Sequence, residues 1–337
     1  MDPALTAVGW VSAPPAPGPH PHGDAWLAVG GADGALSVIS VSEARVSFRM
    51  EGRAGGEGGG RVISVAGTPR ARPGLAAGLQ AGGALTLWCV AAEAALAAWS
   101  APGATCVVAD PTGAHLALGD DGGRVRLVPL PAASAVEGEG VHATASPPSP
   151  RPLPPPSPLP PAATTLAHPG TASPVECLAF LGPDGRRLVA RHADGRLAVW
   201  GGVGGGTPAL LASWRVPGAA AGPHSSVPGP SAAALSATAD GALLAVGSPD
   251  GEALVFDLSA TLGGGSGGGG PPTTTPPPIL ARVKPPRVGG PVRAVALSDD
   301  GRHLSVAVGG GFVFRFEASV FGAAAVAVAP VGKEEVE

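Results

Sequence analysis

A short motif recurs six times in this chain: an apolar run opening on Leu, a turn containing Gly, then a second apolar run. The copies are LAVGGADGALSVISV from Leu27, LAAGLQAGGALTLWCV from Leu75, LALGDDGGRVRLVPL from Leu116, LVARHADGRLAVWGG from Leu188, LAVGSPDGEALVFDL from Leu244 and LSVAVGGGFVFRFEA from Leu304. Gly stands seven residues after the Leu in five copies, as Gly34, Gly123, Gly195, Gly251 and Gly311. In the second copy Gly82 holds that place and one residue is inserted. Self-similarity of this kind means one supersecondary unit is repeated, with stacked neighbours burying what a single unit cannot. The repeat decides how the composition is read. With 54 Gly and 40 Pro in 337 residues, low complexity is the first suspicion. Yet 45% of the residues are hydrophobic and 14% charged, the reverse of a disordered chain. Gly does not recur every third residue, which excludes collagen, and no apolar heptads run between the breakers, which excludes a coiled coil.

Each copy has the chemistry of a β-hairpin. Asp-Gly at 33–34, 194–195 and 250–251 supplies the positive φ that a tight turn between right-twisted strands requires. A further strand and turn precede several copies: Cys106 to Ala109 with Pro111-Thr112-Gly113, Val175 to Phe180 with Pro183-Asp184-Gly185, Ala232 to Ser236 with Asp240-Gly241, and Val292 to Leu297 with Asp300-Gly301. A fourth apolar run follows others, at Arg45 to Met50, Ala94 to Trp99, Leu210 to Val216 and Ala323 to Ala329. Four antiparallel strands per repeat make the blade of an all-β propeller.

Large apolar residues stand at the end of the second apolar run of each copy: Ile39, Trp88, Val128, Trp200, Phe256 and Phe316, with Asp257 after Phe256 and Glu317 after Phe316. Ala167-His168, Asp194 in a tight turn and Trp200, 32 residues after His168, stand together in the fourth copy. These residues resemble the Gly-His, turn Asp and Trp-Asp positions of the WD40-repeat family. The resemblance covers roughly residues 4–330 apart from inserts and leaves the subfamily open. It implies a WD40-like β-propeller with six visible blades, near 4–52, 62–103, 104–130, 164–218, 231–282 and 291–330, a diverged seventh being left open. It also implies a structural network in which Asp194 hydrogen-bonds His168, with Trp200, Asp250, Phe256 and Asp257 holding the equivalent positions. Arg191 and His192 occupy the place where the family's Ser or Thr would stand, so the network is degraded.

Successive turn glycines (34, 83, 123, 195, 251, 311) are 49, 40, 72, 56 and 60 residues apart, against about 40–45 for one such unit. The excess lies in inserts: a Pro-rich one at 131–162, whose tract from Pro147 to Pro161 is expected to pair with no strand, and a Gly/Pro-rich one at 262–278. Both are expected to add nothing to the core. An acidic tail occupies 331–337. The Pro tract reads either as an unselected insert, the favoured alternative, or as a ligand for SH3 or WW modules.

Catalysis finds no support in the sequence. HExxH and P-loop motifs are absent, and the only Lys residues are Lys284 and Lys333. His20, His22 and Asp24 lie in a Pro-rich loop without a third ligand nearby. Cys89, Cys106 and Cys177 are odd in number and sit in apolar runs, which argues against a disulfide framework or zinc site and for a reducing compartment, cytoplasm or nucleus. No catalytic residue, metal or cofactor is expected. A net charge of −4 gives no electrostatic case for nucleic acid. No apolar stretch reaches the ~20 residues of a membrane span.

The expectation is therefore a non-enzymatic scaffold or adaptor within a multiprotein complex, docking other proteins or peptides. The candidate docking face carries Asp33, Asp120, Asp121, Arg191 and His192 beside Asp194 and Asp250, and its acidity points to a basic peptide. The rival is a trafficking or autophagy-type propeller that reads phosphoinositide head groups. The Phe-Arg-Arg-Gly motif of such propellers is missing, so lipid binding is not expected. A catalytic propeller stands third.

Overall fold

The computed structural model describes residues 5–12, 25–43, 45–50, 60–68, 74–90, 92–131, 155–170, 172–217, 234–248, 250–262, 272–285, 291–308 and 312–317. The chain forms two compact units, residues 1–175 and 176–337.

The first unit carries three sheets. The first is an antiparallel meander of β1 (Leu5–Ser12), β2 (Ala25–Gly31), β3 (Leu36–Ser40) and β4 (Arg45–Met50). The second contains β5 (Val62–Gly67), β6 (Leu75–Gln80), β7 (Ala84–Cys89) and β8 (Ala94–Ser100) in the same up-and-down order. The third starts with β9 (Ala104–Ala109), β10 (His115–Asp120) and β11 (Arg124–Pro129). The chain then returns from the Pro-rich insert as β12 (Ser157–Pro158), parallel to β8 on the outer edge of the second sheet, and β13 (Thr164–Ala167), antiparallel to β11. Residues 164–167 thus complete the third sheet instead of opening the fourth repeat. A 34-residue connection separates this strand from its partner, so spacing alone assigned it to the wrong repeat.

The second unit also carries three sheets. β14 (Val175–Leu181), β15 (Arg187–His192), β16 (Arg196–Gly201) and β17 (Ala209–Arg215) make the fourth. β18 (Leu235–Ala237), β19 (Leu243–Gly247), β20 (Ala253–Asp257) and, after the short helix α1 (Ser259–Leu262), β21 (Ile279–Val283) make the fifth. β22 (Val292–Leu297), β23 (His303–Val308) and β24 (Phe312–Glu317) make the sixth, three-stranded among the described residues. Ala323 to Ala329 and the tail 331–337 lie outside the described residues.

Among the described residues, apolar clusters join neighbouring sheets within each unit. Val11, Ala28, Leu36, Val38 and Met50 of the first sheet meet Val62, Ala76 and Trp88 of the second, and Leu79, Leu85, Leu87 and Trp99 of the second meet Leu116, Leu118 and Val128 of the third. In the second unit, Val199, Ala212 and Trp214 pack on Leu244, Val246 and Phe256, while Val255 and Val283 pack on Val295, Val306, Phe314 and Phe316. β6 is buried along its whole length and β15 along all but its first residue, because both of their faces meet apolar neighbours. Strands buried on both faces lack hydrophobic–polar alternation, and β6 reads as an apolar run up to Gln80 whereas β15 also buries Arg191 and His192. The large residues closing the third strands behave alike: Trp88, Val128, Trp200, Phe256 and Phe316 are at most 2% exposed, and only Ile39 is half-buried.

Turn glycines occupy the left-handed region, with φ between 78° and 83° at Gly34, Gly83, Gly123, Gly195 and Gly251. In the second repeat the residue in that conformation is Gly83, not Gly82, and its N–H closes the turn on the Gln80 carbonyl at 2.8 Å. A Cβ at Gly83 would lie 2.6 Å from the Ala101 carbonyl oxygen.

Both Pro-rich inserts contribute to the fold after all. Leu159 and Ala163 pack against the core between the second and third sheets, and Ser157 and Pro158 pair with Trp99 and Ser100. In the second unit Thr273 bridges Ala212 of β17 in parallel, its N–H on the Leu211 carbonyl at 3.0 Å and its carbonyl accepting from the Ser213 N–H at 2.9 Å. In both cases an insert between the third and fourth strands of one sheet folds back along the outer strand of the sheet before it. An uncovered edge strand is a template for aggregation, and these caps occupy it. Pro at such an edge costs no ladder hydrogen bond, which explains why a Pro-rich tract can pair there.

Candidate protein-interaction surface

The aspartates of the turns are first of all turn locks. Asp33, Asp184, Asp194, Asp240 and Asp300 each accept, through one carboxylate oxygen, the backbone N–H two residues on, at 2.9–3.1 Å. This is the Asx geometry that favours Asp before Gly in tight turns. Where a hydroxyl also donates, the carboxylate is held below its ordinary pKa: Thr238 acts on Asp240 and Ser298 on Asp300, each joined by the backbone N–H. Asp257, placed at the entry to α1, receives both the hydroxyl and the N–H of Ser259, with the same effect.

Arginine neutralises several of the residues expected on the docking face. In the first unit Asp33 pairs with Arg49. Asp120 is buried, 2% exposed, and accepts the Arg124 N–H at 2.8 Å and the Arg126 guanidinium at 3.1 Å, with the Arg124 guanidinium at 3.3 Å. In the second unit Asp194 meets the Arg196 Nε at 3.3 Å. Asp121 in the first unit and Asp250 in the second remain exposed, without an ion-pair partner among the described residues. Asp120 therefore leaves the candidate face for the interior.

So do Arg191 and His192, at 5% and 0% exposure. Arg191, on β15, donates from its guanidinium to the Gly247 carbonyl of β19 and keeps its Nε 3.8 Å from the Glu176 carboxylate. Burial pulls this guanidinium below its ordinary pKa against the opposing pull of Glu176, and burial pushes the neighbouring Cys177 thiol up. The arrangement ties the fourth sheet to the fifth. Of the expected network, Trp200 and Phe256 are core residues, Phe256 meeting Trp214 edge-on with ring centroids 5.9 Å apart. His168 is buried at the end of β13.

The sequence reading missed an apolar surface on the first sheet. Val8 and Trp10 alternate with Gly9 and Val11 on β1, so they share one face, and register places Leu27 opposite Trp10, Ile39 opposite Leu27 and Val46 opposite Ile39. The other face, through Val11, Ala28 and Val38, packs on the second sheet. Val8, Trp10 and Val46 are 60%, 65% and 56% exposed, with Leu27 and Ile39 half-buried between them. Scattered exposed apolar residues are ordinary; a contiguous patch that includes a Trp is the mark of an interaction surface. The recurring motif spans only the second and third strands of each sheet, and Val8 and Trp10 lie on the first strand, outside it.

Among the described residues no group of three His, Cys, Asp or Glu could hold a metal ion, and no helix is long and apolar enough to cross a membrane. His20, His22 and Asp24 lie outside the described residues.

No family model matches the chain, and no curated protein matches it significantly in sequence. Among solved structures, the β-propeller domain of Cps50 (Swd1) from Myceliophteria thermophila is similar over 92% of this chain and 82% of that one, with a TM-score of 0.63 and 14% identity. The likeness is one of fold.

Proposed function

From a chain with the WD40-type β-propeller fold, we propose a non-enzymatic scaffold or adaptor that docks other proteins within a multiprotein complex. The observation that carries this reading is the exposed apolar face of the first sheet, which runs from Trp10 and Val8 on β1 across Leu27 and Ile39 to Val46 on β4. A Trp held on a strand presents a large rigid area at low entropic cost, which is why such residues dominate binding hot spots. A ligand drawn mainly by charge is less favoured than the acidic turns suggest, because Asp33, Asp120 and Asp194 already face arginines.

Affinity purification of the tagged chain followed by mass spectrometry tests the proposal, with Trp10→Ser in parallel. The expected result is a set of co-purifying proteins that falls at least ten-fold in the variant while the thermal midpoint is unchanged. Retention of every partner by a folded Trp10→Ser protein would overturn the assignment of the surface. Flotation with phosphoinositide vesicles separates the trafficking reading, for which the adaptor reading expects no lipid-dependent recovery.

A further inference from the structure

The Pro-rich insert reaches the second sheet through a very small attachment. Ser157 and Pro158 are the whole of β12, paired in parallel with Trp99 and Ser100. The Ser157 hydroxyl donates to the Ala98 carbonyl at 3.2 Å, and Leu159 provides the apolar anchor. Pro158 has no N–H to give the ladder, so the Ser157 hydroxyl supplies a disproportionate share of the polar contact. Residues 155–158 are all exposed, and the Ser is followed directly by Pro within the extended run Pro155-Pro156-Ser157-Pro158. Neither β7 nor β8 contains a charged residue, and neither does the stretch 155–163.

We propose that Ser157 is a phosphorylation site for a proline-directed Ser/Thr protein kinase, and that its phosphate detaches β12 from β8. The kinase reads an extended, exposed Ser-Pro, and this segment presents one. In the transfer the Ser157 Oγ bonds to the γ-phosphorus of Mg-ATP, the bond from that phosphorus to the β,γ-bridging oxygen breaks, ADP leaves, and the hydroxyl proton passes to the kinase base. The product has lost the hydroxyl donor that faced the Ala98 carbonyl and carries close to two negative charges in its place. A phosphate opposite a carbonyl oxygen, beside strands β7 and β8 that carry no charged residue, repels instead of docking. Release of β12 uncovers the outer edge of β8 and frees the segment on its C-terminal side up to β13. The modification thereby switches the second sheet between a capped and an open edge.

The test uses the full chain and a proline-directed kinase first shown to phosphorylate a free peptide of residues 155–163. Peptide mass spectrometry locates the phosphate, and amide hydrogen exchange follows Ala94–Ser100 and 155–163 before and after the reaction. The expected result is modification at Ser157 and at least ten-fold faster exchange in both stretches, with no acceleration in Ser157→Ala carried through the same incubation. A folded chain left unmodified at Ser157 by a kinase that modifies the free peptide overturns the site. Stoichiometric modification with unchanged exchange overturns the release.

Discussion

Asp120 and Asp121 are adjacent in sequence and opposite in consequence, and replacing each by Ala separates a structural carboxylate from a surface one. Asp120 is 2% exposed and receives the Arg124 N–H at 2.8 Å and the Arg126 guanidinium at 3.1 Å. Hydrogen bonds to a charged group contribute roughly 1.5–3 kcal/mol each when removal strands the partner. Arg126, at 26% side-chain exposure, and the turn N–H both sit toward the lower half of that range, since water can reach them in part. The Arg124 guanidinium, 55% exposed, adds about 0–1 kcal/mol. Allowing for their mutual dependence, Asp120→Ala should cost about 3 kcal/mol, whereas Asp121→Ala should stay within about 0.5 kcal/mol. In a unit of this size that corresponds to roughly 6–12 °C in the thermal midpoint against no measurable shift. Urea unfolding followed by intrinsic Trp fluorescence, with the midpoint and slope fitted separately, gives the comparison. Equal losses in the two variants, or a change under about 1 kcal/mol in Asp120→Ala, would refute the argument that the Asp120 charge belongs to the fold. A drop in partner recovery with Asp120→Ala at unchanged stability would restore Asp120 to the docking face.

Phe256→Ala, removing a fully buried ring and its edge-on contact with Trp214, should cost about 3–5 kcal/mol in the second unit by chemical denaturation. Gly83→Ala forces a side chain into φ 81° and against the Ala101 carbonyl; a loss of about 1–3 kcal/mol in urea midpoint is expected, whereas Gly82→Ala should be far milder. Asp240, Asp257 and Asp300 have folded pKa values depressed by hydroxyl donors, so the stability they contribute is present above the unfolded value of about 3.9 and is lost as pH falls through the folded values. Urea midpoints measured from about pH 6 down to about pH 3 should therefore decline, and Thr238→Val and Ser298→Ala, which remove the donors, should flatten the decline.

The six-fold repeat was legible because its signal is backbone chemistry. A hairpin needs a positive φ at a fixed distance from an apolar strand, and Gly at 34, 123, 195 and 251 reports that need directly. The large residues closing the third strands were legible for the same reason, since Trp88, Trp200 and Phe256 can only be buried where two sheets face each other. What spacing could not reach were pairings made across long connections. β13 joins β11 across 34 residues, and β12 docks on a strand of another sheet altogether. A Pro tract reads as unpaired until the partner is known to be an edge that asks for few N–H donors.

The docking face was misjudged for a related reason, and the cause lies in what a turn Asp does. Two of the turn carboxylates meet an Arg of the strand that follows, Asp194 with Arg196 at the start of β16 and Asp120 with Arg124 and Arg126 of β11. Counting aspartates along the sequence therefore overstates the acidity of the surface, because each carboxylate arrives with its own N–H and often its own guanidinium. Trp10 carries the opposite lesson. Its alternation with Val8 looks like any half-buried strand, and only the registers of β1 with β2 and of β2 with β3 show that the two share a face that packs on nothing in the second sheet. If binding is governed by that apolar face, affinity should change little between low and high salt, since screening acts on exposed charges and leaves apolar burial intact or strengthened. Partner recovery that collapses at raised ionic strength would return the acidic turns, Asp121 and Asp250 first, to the centre of recognition.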